Sequence, residues 1–326
     1  MNEVIGMRKL VAGFALFPCL FLFGCGKPLK TDTTIIYTMD TIVTINMYNQ
    51  DNASIHLNKI KEIYKEVAQA SDDYKSNDTI SIYDLNQNRE AIVSNTLLDL
   101  LNEAILAKEK TNGYFNPFMG TLTHKWKDKI KNGEILSDSI IKEELVKIQN
   151  TSININGNKV TIIGEGNIDL GGIAKGYATF LAKEYLKSQG ITSYYIDAGH
   201  SSIALGNKNG DYISIGLSKP YDNGYICKMA LQNLVVSCSS PQNQYIKIDD
   251  TYYHHLINPF TGYPSNNYDS LFVINDNPLE GDYYSTALFN MSYQDSVVFS
   301  IENDIKLILY KDNSILYKSE GVNTYE

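Results

Sequence analysis

The chain has 326 residues, 43% of them hydrophobic and 20% charged, with 28 Lys and Arg against 37 Asp and Glu. That much apolar material buries a substantial core, which excludes a disordered or fibrous protein. A formal net charge of −9 without a Lys/Arg cluster argues against a nucleic-acid binder, because gripping phosphate backbones takes grouped cations that release counterions.

Arg8 and Lys9 precede a nearly uncharged run over 10–23. The run is too short to span a bilayer as a helix but suits the apolar part of a secretory signal. Leu22-Phe23-Gly24-Cys25 then resembles the bacterial lipobox, in which a small residue before Cys lets a peptidase cut and the thiol carries lipid. The expectation is a signal peptide over 1–24 and one unit over 25–326, tethered through Cys25 to a membrane on its extracytoplasmic side. A short N-terminal membrane anchor is the alternative. Of the remaining cysteines, Cys227 and Cys238 either pair in an oxidising compartment or stay as two free thiols.

Along the chain, β-branched residues over 34–48 predict two short strands or one bent one, interrupted at Met39-Asp40-Thr41. Helical spacing follows in Ile55, Ile60, Ile63, Tyr64 and Val67, in Leu97, Leu98, Leu101 and Ile105, and over 137–149. The alternation over 152–162, broken at Asn156-Gly157, predicts a hairpin. A helix is expected over 173–188, then strands near 193–196, 212–217, 234–236, 245–248 and 270–274, helices over 282–302 and a closing hairpin over 305–317. Strands in runs with helices between the groups predict an α+β fold with largely antiparallel sheets and flanking helices.

Two glycine-bearing stretches match no nucleotide motif. Gly164-Glu165-Gly166-Asn167-Ile168-Asp169 lacks the third glycine of a dinucleotide fingerprint, and Gly171-Gly172-Ile173-Ala174-Lys175-Gly176 has Ala where a P-loop needs Gly. No Cys or His pair has structural zinc spacing.

Four segments hold more polar chemistry than packing asks for. In Asp169 to Ala178, glycines allow close backbone approach and a helix begins at once, so free amides beside Lys175 suit an anion such as a diphosphate; a tight turn with a solvated lysine is the other reading. In Tyr253 to Pro264, one of His254 and His255 faces inward if the segment starts on a strand, fit for proton transfer or simply for the core. Asp282 and Thr286, four apart, place two oxygens on one helix face as a hard cation requires, although Asp before an apolar helical run is first of all an N-cap. Met39-Asp40-Thr41 and Tyr114 to Gly120 offer sulfur and aromatic surface for a flat ring system, or for the core.

These segments, in this order and after a lipobox-like start, resemble the ApbE family of FAD:protein FMN transferases, from Met39 to about Phe289. The resemblance implies an α+β protein with a T-fold-like core that binds FAD and Mg²⁺ and transfers FMN to a Thr or Ser hydroxyl of an exported or membrane redox protein, leaving AMP. It also implies that Met39, Tyr74, Tyr114, Phe115, Asn116, Asp169, Lys175 and Leu256 hold FAD. The Gly172 carbonyl with Asp282 and Thr286 would hold the metal, and His255 would be the general base. An FAD pyrophosphatase and a non-catalytic flavin-binding lipoprotein are the rivals. Three stretches depart from the family: Asp197-Ala198-Gly199-His200 stands for Asn-Ala-Gly-Gly, Cys238-Ser239-Ser240 for Thr-Ser-Gly, and Asn258-Pro259 for Asp-Pro. His200 and Ser240 are expected to put bulk where glycine allows close approach.

Overall fold

A computed structural model describes residues 29–241 and 244–325. The lipobox-like segment and Cys25 lie outside the described residues. The first strands, β1 (Thr31–Thr38) and β2 (Thr41–Tyr48), are two strands of one hairpin, with Met39 and Asp40 both at positive φ (50° and 54°) in the tight turn between them. That turn is the interruption visible in the sequence: the twist of paired strands favours two left-handed residues there. Helix α1 (Ala53–Ser71) follows, then α2 (Ile82–Asn88), β3 (Glu90–Ile92), α3 (Asn95–Lys110), a 3₁₀ turn at Pro117–Met119, α4 (Gly120–Lys131) and α5 (Asp138–Gln149). Next come β4 (Ser152–Asn156), β5 (Lys159–Ile163), α6 (Ala174–Ser188), β6 (Tyr194–Ala198), β7 (Ser202–Leu205), β8 (Ile213–Ser218), β9 (Tyr225–Leu231), β10 (Leu234–Ser239), β11 (Tyr245–Ile248), β12 (Thr251–His254) and β13 (Ser270–Asn275). The chain ends with α7 (Pro278–Phe289), α8 (Tyr293–Glu302), β14 (Lys306–Lys311) and β15 (Ser314–Lys318).

The main sheet has eight strands in the order β1-β2-β6-β7-β10-β13-β14-β15, and every strand pairing among the described residues is antiparallel. This is the α+β architecture the strand pattern predicts. One face carries the larger core, where Val43, Ile45 and Met47 of β2 meet Ile60, Tyr64 and Val67 of α1 and the buried side of α6 and α7. Side chains alternate in β2, so these three share one face by period 2 while the helix offers its stripe by period 3.6. The other face packs on the β8–β9 hairpin through Leu205, Ile215, Leu217, Met229 and Val236. Cys227 and Cys238 are both free.

Helix α7 does not begin at Asp282. Its cap is Asn277, whose Oδ1 accepts from the amides of Leu279 (3.1 Å) and Glu280 (3.4 Å), with Pro278 at the first helical position. Asn capping followed by Pro fixes the start four residues earlier than the apolar run suggests. Asp282 is therefore not a cap, and it sits a full turn inside a helix buried along most of its length.

Candidate active site

A cleft of about 1580 Å³ opens where the β1–β2 turn, α1, the segment after α1, the 114–119 segment, the glycine turn before α6, the end of β10, the segment after β12 and α7 converge. Met39, Tyr74, Tyr114, Phe115, Asn116, Asp169, Gly172, Lys175, His255, Leu256, Asp282 and Thr286 all line it, so residues spread over most of the sequence meet at one place.

The deep wall is built by α6 against α7. Asp282 is 4% exposed and its Oδ2 accepts from the Gly176 amide at 2.8 Å. A Cβ on Gly176 would stand 2.5 Å from Asp282 Cβ and 2.5 Å from the Pro278 carbonyl, so only glycine lets the two helices approach this closely. Burial pushes the Asp282 carboxyl up to about 6, against the opposing pull of Lys175 and the Gly176 amide. Thr286 Oγ1 donates to the Asp282 carbonyl at 3.2 Å and keeps its lone pairs. A Cβ on Gly172 would lie 3.2 Å from that same Oγ1 and 3.3 Å from the Phe115 ring. Gly172 thus lies beside Thr286, one helical turn from the buried Asp282 carboxylate, and the polar atoms that a carbonyl, a hydroxyl and a carboxylate could offer a metal are all oxygens. No group of three or more His, Cys, Asp and Glu suited to a metal occurs among the described residues. Oxygen donors without thiolate or imidazole suit a hard cation.

The glycine turn is locked by Asp169, whose Oδ1 accepts from Gly171 N at 2.7 Å, and Lys175 Nζ lies 3.4 Å from the Gly171 carbonyl. No side chain caps α6. The amide at its third position, on Gly176, is taken by Asp282, so the helix start offers fewer free donors than the sequence suggests.

His254, the last residue of β12, and His255, just beyond it, divide their tasks. His254 is 1% exposed; its Nε2 donates to the Ser265 carbonyl at 2.9 Å and its Nδ1 accepts from Leu256 N at 3.2 Å. Both ring nitrogens are committed, which fixes a neutral tautomer, and burial lowers its pKa to about 4. His255 faces the cleft, and its buried Nδ1 has no partner. Desolvation, helped by the charges of Lys127 and Lys175, lowers His255 to about 3, so it is a neutral imidazole at neutral pH.

Around Tyr74, which the sequence reading names, the outer wall carries three residues that it missed, Asp73, His124 and Lys127. Tyr74, half-exposed, stacks on His124 (centroids 4.5 Å apart, planes at 23°), and its hydroxyl accepts from Lys127 Nζ at 2.9 Å. His124 Nε2 contacts Asp73 Oδ2 at 2.7 Å, which raises the imidazole's pKa. Lys127 is pushed up to about 12 because Asp169, Tyr74 and Asp73 favour its charge more than burial opposes it. His124 and Lys127 sit on α4, whose signal was available: Leu122, Trp126 and Ile130 repeat every four residues.

Other expected ring contacts serve two roles. Asn116 Oδ1 accepts from Phe118 N at 3.1 Å and starts the 3₁₀ turn, Phe115 is buried, and Tyr114 meets Phe260 edge-on at 4.8 Å. Of the departures, His200 does not crowd the cleft: it takes positive φ (60°), turns its side chain to solvent and contacts Asp197 through Nδ1 at 2.9 Å. Ser240 lines the cleft and donates to the Asp269 carbonyl at 3.2 Å. Asn258 Oδ1 accepts from Phe260 N at 2.9 Å and its Nδ2 donates to the Asn290 carbonyl at 2.9 Å, so the turn keeps its bonds without a charge.

An antiparallel α+β scaffold with one deep cleft, joining an oxygen donor set, two lysines, a neutral imidazole and an aromatic wall, has the parts of a nucleotide-processing enzyme. The sequence model of the ApbE family matches residues 39–309, and the chain belongs to that family. It is 25% identical to the FAD:protein FMN transferase of Haemophilus influenzae, with 97% of each chain aligned. It is 26% identical to the protein of that name from Vibrio cholerae, over 90% of this chain and 92% of that one. The protein of that name from Treponema pallidum is 27% identical over 63% of this chain, and the alignment spans 62% of that relative's length. The fold is shared with the solved ApbE protein of Thermotoga maritima (TM-score 0.80, 24% identity, 89% of this chain and 97% of that one) and the Vibrio cholerae flavin transferase ApbE (TM-score 0.72, 22% identity, 90% and 98%).

Proposed function

We propose that this chain transfers the FMN half of FAD to a Thr or Ser hydroxyl of an exported or membrane redox protein and releases AMP. Family membership supports the reaction class. The observation that carries the reading is the meeting of Asp282, Thr286, Gly172, Lys175 and His255 on one cleft large enough for a dinucleotide.

Lys175 and Lys127 offer positive charge to the diphosphate from two sides. Tyr74 and Met39 offer apolar and sulfur surface to a flat ring. Gly172, Asp282 and Thr286 would hold Mg²⁺, which when bound supplies charge neutralisation for the diphosphate and its leaving group. The acceptor oxygen attacks the phosphorus attached to riboflavin, that phosphorus–oxygen bond to AMP breaks, and the hydroxyl proton passes to His255. His255 is neutral, and its Nδ1 has no hydrogen-bond partner, so a nitrogen lone pair is uncommitted. Burial holds its basicity low, and an anionic diphosphate beside it would oppose the lysine charges and raise it. Cleavage before Cys25 and lipid on its thiol would tether the chain outside the cytoplasm, where such acceptors reside.

The test is incubation with FAD, MgCl₂ and a purified threonine-bearing redox subunit, followed by in-gel flavin fluorescence under denaturing conditions. A fluorescent acceptor band is expected. Soluble FMN and AMP without that band would assign the chain to hydrolysis, and intact FAD would assign it to binding alone.

A further inference from the structure

Strand β1 ends in the cleft and forms one edge of the main sheet, and its outer side has no strand partner among the described residues. In a hairpin with a two-residue turn, the residues flanking the turn exchange both backbone bonds, and every second pair does so thereafter. Thr38 pairs with Thr41, so Thr38, Ile36, Thr34 and Asp32 bond to β2. Thr31, Thr33, Ile35 and Tyr37 then point their N–H and C=O groups outward. The partner strand agrees with this register: Ile42, opposite Tyr37, sends its carbonyl away from β1 to the Gly199 amide at 3.1 Å.

The same residues expose their side chains. Tyr37 is 82% exposed, Ile35 53% and Ile42 49%, and all three border the cleft. Natural sheet edges are protected by bulges, charges or proline. The opposite edge follows that rule, with a register irregularity between Leu309 and Tyr310 and a lysine at the end of β15. β1 pairs without a bulge over its whole length and carries no proline; its one charge, Asp32, lies at the end far from the Met39–Asp40 turn and pairs with Lys30 at 3.0 Å, and the rest of the strand is Thr, Ile and Tyr37, which is a template for one more strand.

We infer that β1 is the docking edge for the acceptor: an extended acceptor segment adds as a strand along Thr31–Tyr37, and the chain beyond it enters the cleft at the Met39–Thr41 turn with its hydroxyl toward His255. This rests on the transferase reading above, which requires a protein segment to reach the cleft. Continuity of the edge with the cleft selects the acceptor over a second copy or a lipid surface, because neither needs to end at the reacting atoms. Backbone bonds supply the affinity, and Ile35, Tyr37 and Ile42 favour small apolar or β-branched side chains at alternate positions of the acceptor.

The test uses the full chain and two variants. Ile35→Pro removes an outward N–H while leaving the bonds to β2, and Tyr37→Lys charges the edge without touching the backbone. Both should raise the KM for the acceptor about tenfold or more, well beyond any change in the KM for FAD, with kcat at saturation retained. A second measurement does not depend on transfer. Amide exchange is followed by NMR with a lysine-flanked peptide of about ten residues alternating threonine and valine. Thr33, Ile35 and Tyr37 should gain protection while Ile36 and Thr34, already bonded, do not. An unchanged acceptor KM in both variants, or peptide addition without that alternating protection, overturns the docking proposal. So does concentration-dependent dimerisation, or binding to phosphatidylglycerol vesicles, that the variants abolish while acceptor KM stays constant. Absence of flavin transfer by the parent chain with alternating protection intact would refute the transferase reading and leave the docking edge standing.

Discussion

Replacing Asp282 by Asn separates what this carboxylate does for the fold from what it does for the chemistry. Asn keeps an oxygen to accept from the Gly176 amide at 2.8 Å and keeps the volume between α6 and α7, so only the charge is lost. The folded protein holds the Asp282 carboxyl at about 6, against 3.8 for the free side chain. A folded pKa above the unfolded one means that ionisation favours unfolding. The protonated form is compatible with the fold below pH 3.8, and stability is lost as pH rises through about 6. Two pKa units correspond to about 3 kcal/mol, so at pH 8 in EDTA the Asn variant should be more stable by roughly that amount. At roughly 2 °C per kcal/mol for a chain of this size, its Tm should rise by about 6 °C. The advantage should fade below pH 4. In the transfer assay the same variant should lose at least about a hundredfold in rate, because the donor set no longer carries a charge to hold a hard cation. MgCl₂ should raise the Tm of the parent but not of the variant. A variant that melts below the parent at pH 8, or that transfers FMN at the parent's rate, would refute this account.

Gly176→Ala should destabilise by about 1–3 kcal/mol in urea unfolding and remove activity, since its methyl group meets backbone at Pro278 as well as Asp282 Cβ. His255→Gln should keep FAD affinity, read by flavin fluorescence, yet slow transfer by about 10²–10⁴-fold. His254 and His255 have pKa values lowered to about 4 and about 3, so the unfolded chain takes up protons below pH 6.5 that the folded chain refuses. Stability should fall by about 1.4 kcal/mol per pH unit for each from pH 6.5 toward 4, offset in part below pH 6 by the proton that folded Asp282 retains, and chemical denaturation of His255→Gln should show a slope smaller than the parent's by about 1.4 kcal/mol per pH unit. Lys127→Met removes the donor to Tyr74 and one diphosphate charge, and should raise the KM for FAD about tenfold with a smaller change in kcat.

The sequence carried the fold wherever burial repeats with a clear period. The α1 stripe, the hairpin at Asn156-Gly157 and the antiparallel class are all read correctly from side-chain alternation and turn chemistry. Short elements such as α2, β3 and β12 escaped because a few residues cannot display a period. Helix α7 was misjudged at its start: it is buried on nearly every side, so hydrophobicity gives no edge, and only Asn277-Pro278 marks the boundary. The site divides in the same way. Asp282, Thr286 and the glycine turn stood out because glycines and paired oxygens are unusual near apolar runs. Asp73, His124 and Lys127 did not, because each lies beside ordinary surface residues in the sequence and gains meaning only when α4 brings His124 under Tyr74.

Ten of the twelve residues of α7 are buried, from Pro278 to Phe289. A rod wedged this firmly between sheet and helices is a fixed anvil. Any adjustment around a bulky ligand therefore falls to the opposite lip, where Met39, Tyr74 and their neighbours sit on a hairpin tip and a connecting segment.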